Sequence, residues 1–97
     1  MEDREYIIIL YDYYSELFNT GQRDYFESYY FDNLSLSEIA ENEGKSRNAI
    51  HKSIKGVCSK LIEYEEILGL YRKEIRLREI IDKIEDKKIK EELEGLL

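Results

Sequence analysis

The amino-acid sequence predicts an all-α protein of about five helices, and three observations support this fold class. Apolar residues recur at intervals of three and four along most of the chain, which is the spacing of one helix face. The chain has no proline, and no segment alternates apolar and polar residues between turns as strands do. Its 97 residues, of which 42% are hydrophobic and 38% are charged, are enough for one small folded domain.

The first two predicted helices are rich in tyrosine. Helix one begins at about Asp3, which suits an N-cap, and ends at Phe18, before the helix-breaking residues 19–21. Helix two covers residues 21–31 and ends before Asp32, which prefers turns and caps. Because this part of the chain is acidic, we expect its aromatic residues to pack in a core rather than to stack on nucleic-acid bases. The predicted apolar residues of the two helices are Tyr6, Ile7, Leu10, Tyr13, Tyr14, Leu17, Tyr25, Phe26, Tyr29 and Tyr30.

A short third helix followed by the start of a long fourth helix predicts a helix-turn-helix over residues 35–55. Ser35 and Glu38 have the spacing of a capping box, which marks the start of the third helix. Gly44 suits the left-handed residue of the turn, and Ser46 suits the N-cap of the fourth helix. Such a motif needs a small residue where its helices cross and apolar anchors on both helices. The predicted structural anchors are Ile39, Ala40, Gly44, Ile50 and Ile54.

The fourth helix is long, and its apolar residues form a heptad-like seam. Gly69 lies where the apolar phase shifts, so we place a break near residues 69–71 and a fifth helix over residues 70–88. Residues 1–69 then form the helix-turn-helix domain, and residues 70–97 form a C-terminal helical extension of the same compact unit. The seam has two interpretations, packing within one subunit or pairing with a second copy, and its length favours a homodimer through helices four and five. It consists of Ile54, Val57, Leu61, Tyr64, Leu68, Tyr71 and Ile75.

The charge is distributed unevenly along the chain, whose net charge is −7. Residues 1–44 have a net charge of −9 and residues 61–97 have a net charge of −3. Residues 45–60, in contrast, have a net charge of +5 and contain no acid. At physiological salt a surface responds mainly to charges within about 8 Å, so a local basic segment can bind nucleic acid despite the acidic total.

The basic segment also predicts which side chains meet nucleic acid. If Ala49, Ile50 and Ile54 face the core, the helical period directs the cationic and amide side chains outward, and the lone His51 is exposed with them. Arginine and asparagine suit the edges of guanine and adenine, whereas lysines and the serines at helix N-termini suit phosphate. The predicted nucleic-acid-binding residues are Ser35, Ser37, Ser46, Arg47, Asn48, His51, Lys52, Lys55 and Lys60.

Composition argues against several other classes of protein. One histidine and one cysteine leave too few ligands for a zinc site, so we expect no metal and no cofactor, and we expect Cys58 to pack as a small apolar residue. The sequence has no nucleophile–base pair and no phosphate-cradling loop, so we expect no enzymatic activity. The longest apolar run, residues 6–11, is far shorter than the ~20 residues of a membrane span, and the acidic beginning is not a signal peptide. We therefore expect a cytoplasmic protein without a membrane partner.

Segments in and around the predicted motif form a distinctive set. They are Gln22-Arg23, Tyr29-Tyr30, residues 35–41, residues 46–50, Ile54-Lys55 and Glu63-Tyr64-Glu65. Together they resemble the YlxM family of small bacterial proteins, which are similar to region four of sigma-70-type factors. The resemblance covers about residues 10–70 and, more loosely, the chain to its end. It implies a DNA-binding regulatory protein connected with the signal recognition particle pathway. The alternative that it leaves open is a module that binds protein or RNA of that particle, with the helix-turn-helix only as a scaffold.

Overall fold

The computed structural model describes residues 3–97, and every regular element in that range is helical, which confirms the all-α class. The six α-helices of this range are α1 (Arg4–Tyr14), α2 (Thr20–Tyr30), α3 (Leu36–Glu43), α4 (Arg47–Leu68), α5 (Leu70–Ile81) and α6 (Lys87–Glu94). A short 3-10 turn at Ser15–Leu17 connects α1 to α2. Residues 1 and 2, which belong to the acidic beginning of the sequence, lie outside the described range.

The boundary between the first two helices differs from the prediction. Helix α1 ends at Tyr14 because the chain tightens into the 3-10 turn, and Leu17 in that turn is exposed rather than part of the apolar face. Asn19 does more than interrupt a helix. Its side chain accepts a hydrogen bond from the Gln22 backbone, and the Gln22 side chain accepts one from the Asn19 backbone. This reciprocal cap explains why α2 starts at Thr20.

The core lies where α1, α2 and α3 converge on the first half of α4. Tyr11 stacks on Phe26 with ring centroids 4.0 Å apart, and Phe26 stacks on Tyr30 at 4.4 Å. Cys58 is buried in the same cluster, with its Sγ 3.4 Å from the Tyr30 hydroxyl oxygen. Packing of these aromatic residues and of the cysteine is therefore confirmed. The buried residues of the cluster are Ile7, Leu10, Tyr11, Tyr14, Phe18, Phe26, Tyr30, Leu36, Ile39, Ala40, Ile50, Ile54, Val57, Cys58 and Leu61.

The predicted break after the fourth helix is confirmed at Gly69, which adopts a left-handed conformation with φ of 62°. A buried carboxylate, that of Glu65, organises the junction. It accepts hydrogen bonds from the Tyr14 hydroxyl at 2.7 Å and from the backbone N–H groups of Tyr71 and Arg72, each at 3.1 Å. These groups include N–H donors that the first turn of α5 would otherwise leave without a partner. Burial alone would raise the pKa of Glu65, but these hydrogen bonds outweigh it and hold the pKa below its usual value.

The chain beyond α4 forms two helices rather than one. Helix α5 ends at Ile81, not at residue 88 as predicted. The Asp86 side chain accepts hydrogen bonds from the N–H groups of Lys88 and Ile89, at 3.0 and 3.1 Å, and so starts α6. Ile81 is buried apart from the main core, at the end of α5 that meets α6.

The apolar seam of the fourth helix divides into a buried half and an exposed half. Ile54, Val57 and Leu61 are buried within the subunit, whereas Leu68 and Ile75 are exposed. The exposed half continues along α5, which leaves the core, and the molecule is elongated, with extents of 57 × 24 × 21 Å. The large apolar residues exposed in this region are Ile67, Leu68, Leu70, Ile75, Leu77 and Ile80.

Candidate nucleic-acid interface

The helix-turn-helix is built by local interactions between α3, the turn and α4. The Ser35 side chain accepts a hydrogen bond from the Glu38 backbone at 3.0 Å, and the Glu38 carboxylate accepts one from the Ser35 backbone at 3.1 Å. The backbone and side-chain hydrogen bonds with Ser35 lower the pKa of Glu38. Gly44 has φ of 63°, and the N–H of the next residue, Lys45, donates to the Ala40 carbonyl at 2.9 Å. This closing bond is typical of a helix that ends in a left-handed residue.

The two helices of the motif pack through small and branched apolar side chains, as predicted. Ile39 and Ala40 of α3 are buried, and Ile50 and Ile54 of α4 are fully buried. The Ser46 hydroxyl accepts a hydrogen bond from the Ala49 backbone at 3.1 Å, so it caps the first turn of α4. The capped and anchored first turns of α4 are therefore held in one orientation relative to the core.

A set of exposed polar residues at the start of α4 is here called the basic face; it consists of Lys45, Arg47, Asn48, Lys52 and Lys55. The last three of these lie at the spacing i, i+4 and i+7, which places them on one side of the helix. No cation of the basic face forms an ion pair with a carboxylate within residues 3–97. The neighbouring helix α3 exposes two acids, Glu41 and Glu43, and Glu43 lies two residues before Lys45 in the chain.

Three predicted positions differ from their expected environment. Ala49 is exposed rather than directed inward, because it lies in the first turn of α4, on a side that the core does not cover. His51 is half-buried rather than exposed. Lys60 lies about 140° around the axis of α4 from Lys55. Its Nζ is 3.1 Å from a carboxylate oxygen of Glu63, and this hydrogen bond raises the pKa of Lys60.

The three predicted phosphate-binding serines differ in what their hydroxyl groups do. Ser35 and Ser46 use their hydroxyl oxygens as caps, whereas Ser37 is exposed in the first turn of α3. All three lie at the N-terminal ends of the two motif helices, where backbone N–H groups favour an anion.

Comparison with known proteins assigns the chain to a family. A family model described as "Putative helix-turn-helix protein, YlxM / p13 like", UPF0122, matches residues 1–96. The chain belongs to the UPF0122 family. The match confirms the resemblance to the YlxM family and covers nearly the whole chain.

Members of the UPF0122 family in several bacteria are similar to this chain over most of their length. A protein of Geobacillus kaustophilus is 46% identical over 77 residues, which cover 79% of this chain and 70% of the relative. A protein of Ureaplasma urealyticum is 38% identical over 93 residues, covering 96% of this chain and 94% of the relative. A protein of Listeria innocua is 39% identical over 97 residues, covering 91% and 88%.

Sequence reasoning missed two features of this UPF0122 chain. Lys45 was not among the predicted binding residues, although it is exposed beside Arg47 and belongs to the acid-free segment that was the available signal. The role of Glu65 at the junction of α4 and α5 was also missed, because its partner Tyr14 lies far away in the sequence. No group of three or more metal-ligating side chains and no helix long and apolar enough to cross a membrane occur within residues 3–97.

Proposed function

We propose that this protein is a DNA-binding regulatory protein of the helix-turn-helix type that inserts the start of α4 into the major groove. The observation that carries the proposal is the basic face, whose cations are exposed and have no carboxylate partner within the described residues. Cations that are already paired would have to exchange one partner for another, whereas these can meet phosphates directly. The connection with the signal recognition particle pathway, which the YlxM resemblance implies, is part of the proposal.

The side chains of the basic face suit two kinds of contact, with base edges and with phosphates. Arg47 and Asn48, in the first turn of α4, suit bidentate contacts with guanine and adenine. Lys52 and Lys55, one and two turns further along, suit phosphates on the edge of the groove. His51 lies beside these residues but is half-buried, so we assign it a supporting contact. The N-terminal serines Ser35, Ser37 and Ser46 would meet phosphates of the same duplex through their helix ends.

We propose that the DNA-binding species is a homodimer formed through α4 and α5. The chain exposes 6842 Å² of surface. A compact protein of 11.7 kDa would expose about 5,900 Å². The excess of roughly 900 Å² is similar to the ~800 Å² that each partner buries in a standard interface. Much of the exposed apolar surface lies on the end of α4 and on α5, and Ile67 has 69% of its surface exposed.

The experiment is a fluorescence-anisotropy titration of the whole chain with labelled duplex DNA across a salt series. Three phosphate contacts per subunit would give a slope of log K against log salt of about −3 per subunit. Arg47→Ala combined with Lys52→Ala should abolish binding at moderate salt. The matched control, Lys87→Ala with Lys88→Ala in α6, removes the same number of cations and should leave binding within about twofold.

Two further titrations test the proposal, one with a Lys60 variant and one with RNA. We expect Lys60→Ala to have a smaller effect than the basic-face substitutions, because Lys60 pairs with Glu63 and lies on another side of α4. The same titration with RNA of the signal recognition particle separates DNA recognition from the alternative module. Equal binding by the parent, the basic-face variant and the control would overturn the proposal, and so would the absence of DNA binding at low salt.

A further inference from the structure

A groove of about 540 Å³ lies between α1 and the end of α2, and none of its lining residues belongs to the helix-turn-helix. Its lining includes Ile8, Tyr11, Asp12, Ser15, Glu27 and Phe31. A volume of this size is typical of sites that hold several side chains or a ligand. The groove is thus separate from the surface that the proposed DNA contact would use.

The base of the groove is apolar and is incompletely covered by the chain itself. Tyr11 is buried and holds Phe31 at a ring-centroid distance of 5.9 Å. Phe31 nevertheless has 47% of its surface exposed, and Ile9 on the same wall has 36% exposed. Two large apolar side chains therefore offer a surface on which another apolar group can pack.

The rim of the groove is negatively charged. Asp12 is exposed and forms no ion pair within residues 3–97. Glu27 accepts a hydrogen bond from the Tyr11 hydroxyl at 2.6 Å, which fixes its carboxylate at the groove. The cation Arg23 has its Nε 4.0 Å from a carboxylate oxygen of Glu27, and both side chains are more than 40% exposed, so this pair is weak. Glu5, seven residues before Asp12, adds a further exposed acid to the same side of α1.

We propose that this groove binds a cationic amphipathic helix of a partner protein. Leucine-like side chains of the partner would pack on Phe31 and Ile9, and its lysine or arginine side chains would meet the carboxylates of Asp12 and Glu27. A helix suits the site because ridges of side chains fit the groove between two helices, and an amphipathic helix is a recurrent ligand of such grooves. The acidic rim excludes a phosphate backbone, so the inferred partner goes beyond the DNA of the proposed function.

A second copy of this chain is a poor occupant of the groove. The acid-free basic segment of the chain, residues 45–60, carries the basic face. The large apolar residues of that segment, among them Ile50, Ile54 and Val57, are buried within their own subunit, so the segment offers cations but no apolar ridge to the groove of another copy. A cationic segment of a different protein avoids this difficulty.

The test uses the full chain, labelled with ¹⁵N, and a probe peptide of about eighteen residues with leucine at helical spacing and lysine elsewhere. Addition of the peptide should shift the amide resonances of Ile8, Asp12 and Phe31 and leave those of the basic face unchanged. Asp12→Arg should weaken peptide binding at least tenfold. Glu43→Arg, an equal charge change at an exposed position of α3, should leave binding within about twofold, and a scrambled peptide of the same composition should bind far more weakly.

Three outcomes would overturn the inference. The first is the absence of binding by the parent at low salt, and the second is equal binding of the ordered and scrambled peptides, which would indicate attraction by net charge alone. The third is loss of a dimer in Asp12→Arg by light scattering, which would identify the groove as an interface between copies. DNA binding by the same samples is measured separately, so failure of the groove and failure of the proposed DNA contact are distinguishable.

Discussion

The two ends of the molecule use the same helical pattern but bury it differently. In the first part, three helices converge on α4, and residues such as Ile7, Leu10 and Ile50 are completely buried. In the C-terminal hairpin of α5 and α6, Ile80 and Ile89 expose more than 40% of their surface. The hairpin meets the rest of the molecule through part of α1 and the end of α4, and its other side is exposed. Apolar spacing thus predicts a helix, but the number of converging helices determines how much of it is buried.

The hairpin is attached to the core by polar groups and aromatic edges more than by a continuous apolar interior. The Tyr14 hydroxyl donates to Glu65 and also accepts from the N–H of Leu70 at 3.1 Å. The Tyr13 hydroxyl donates to Glu74 of α5, and the Tyr71 ring lies 5.9 Å from the Tyr13 ring. Directional hydrogen bonds fix the angle at which α5 leaves the core.

The largest expected effect comes from truncating the same residue type in each region. Ile50→Ala should lower the free energy of unfolding by about 2–5 kcal/mol, because it leaves a cavity where α3 crosses α4. Ile80→Ala in the hairpin should cost about 0.5 kcal/mol or less if its exposed side chain has no partner. Chemical denaturation of both variants measures the difference. A large loss for Ile80→Ala would show that another surface covers the hairpin in solution, which favours the proposed dimer.

The next effect concerns the polar junction. Tyr14→Phe should cost about 1–3 kcal/mol, because it removes a donor from buried Glu65 and the acceptor of the Leu70 N–H. Tyr64→Phe is the control, since Tyr64 packs on the Tyr14 ring at 5.9 Å but its hydroxyl has no hydrogen bond within residues 3–97. Amide hydrogen exchange should accelerate at Leu70 and Tyr71 in the first variant alone. Uniform acceleration along the chain would contradict a local role for Tyr14.

The dependence of folding stability on pH tests the role of the buried Glu65 carboxylate at the junction. The folded pKa of Glu65 lies below its usual value of 4.5, so its carboxylate stabilises the fold above that pH. This contribution is lost as the pH falls through the depressed folded pKa. Glu65→Gln should therefore be less stable than the parent at neutral pH, and the gap should narrow on acidification below about pH 4.5. Thermal melts of the parent and of Glu65→Gln across this pH range measure the gap, and a constant gap would refute the assignment.

The smallest expected effects come from two glycines of opposite character. Gly56 lies inside α4, and a methyl group there meets no atom within 4 Å, so Gly56→Ala should stabilise the protein by about 0.5–1 kcal/mol. Gly69 has a positive φ, and its added methyl group would meet the Arg72 side chain, so Gly69→Ala should destabilise it by about 1–2 kcal/mol. Thermal melts of the pair give both signs. Equal shifts of the melting temperature in the two variants would indicate that the break between α4 and α5 does not lie at Gly69.

Several features set by residues close in sequence were predictable in this protein, although the caps at Asn19 and Asp86 were missed. The capping box of Ser35 and Glu38, the left-handed Gly44 and the cap by Ser46 each depend on atoms within a few residues of one another. Local hydrogen bonds and steric limits act on the chain before any tertiary contact exists. The acid-free segment at residues 45–60 likewise needed only a count of charges.

Features that depend on distant residues were decided by the tertiary structure. Periodicity indicated that Ile50 faces the core but wrongly assigned Ala49 to it, because the period does not show where neighbouring helices end. The second half of the seam followed the same spacing as the first, yet Ile75 is exposed because only part of α1 lies beside α5. The role of Glu65 at the junction of α4 and α5 can be identified only from the tertiary structure, in which the Tyr14 hydroxyl donates a hydrogen bond to it. The helices α1 to α4, the caps at Ser35 and Ser46 and the position of the positive charge followed from the sequence because they depend on residues near one another in the chain, whereas helix packing decided which faces remain exposed.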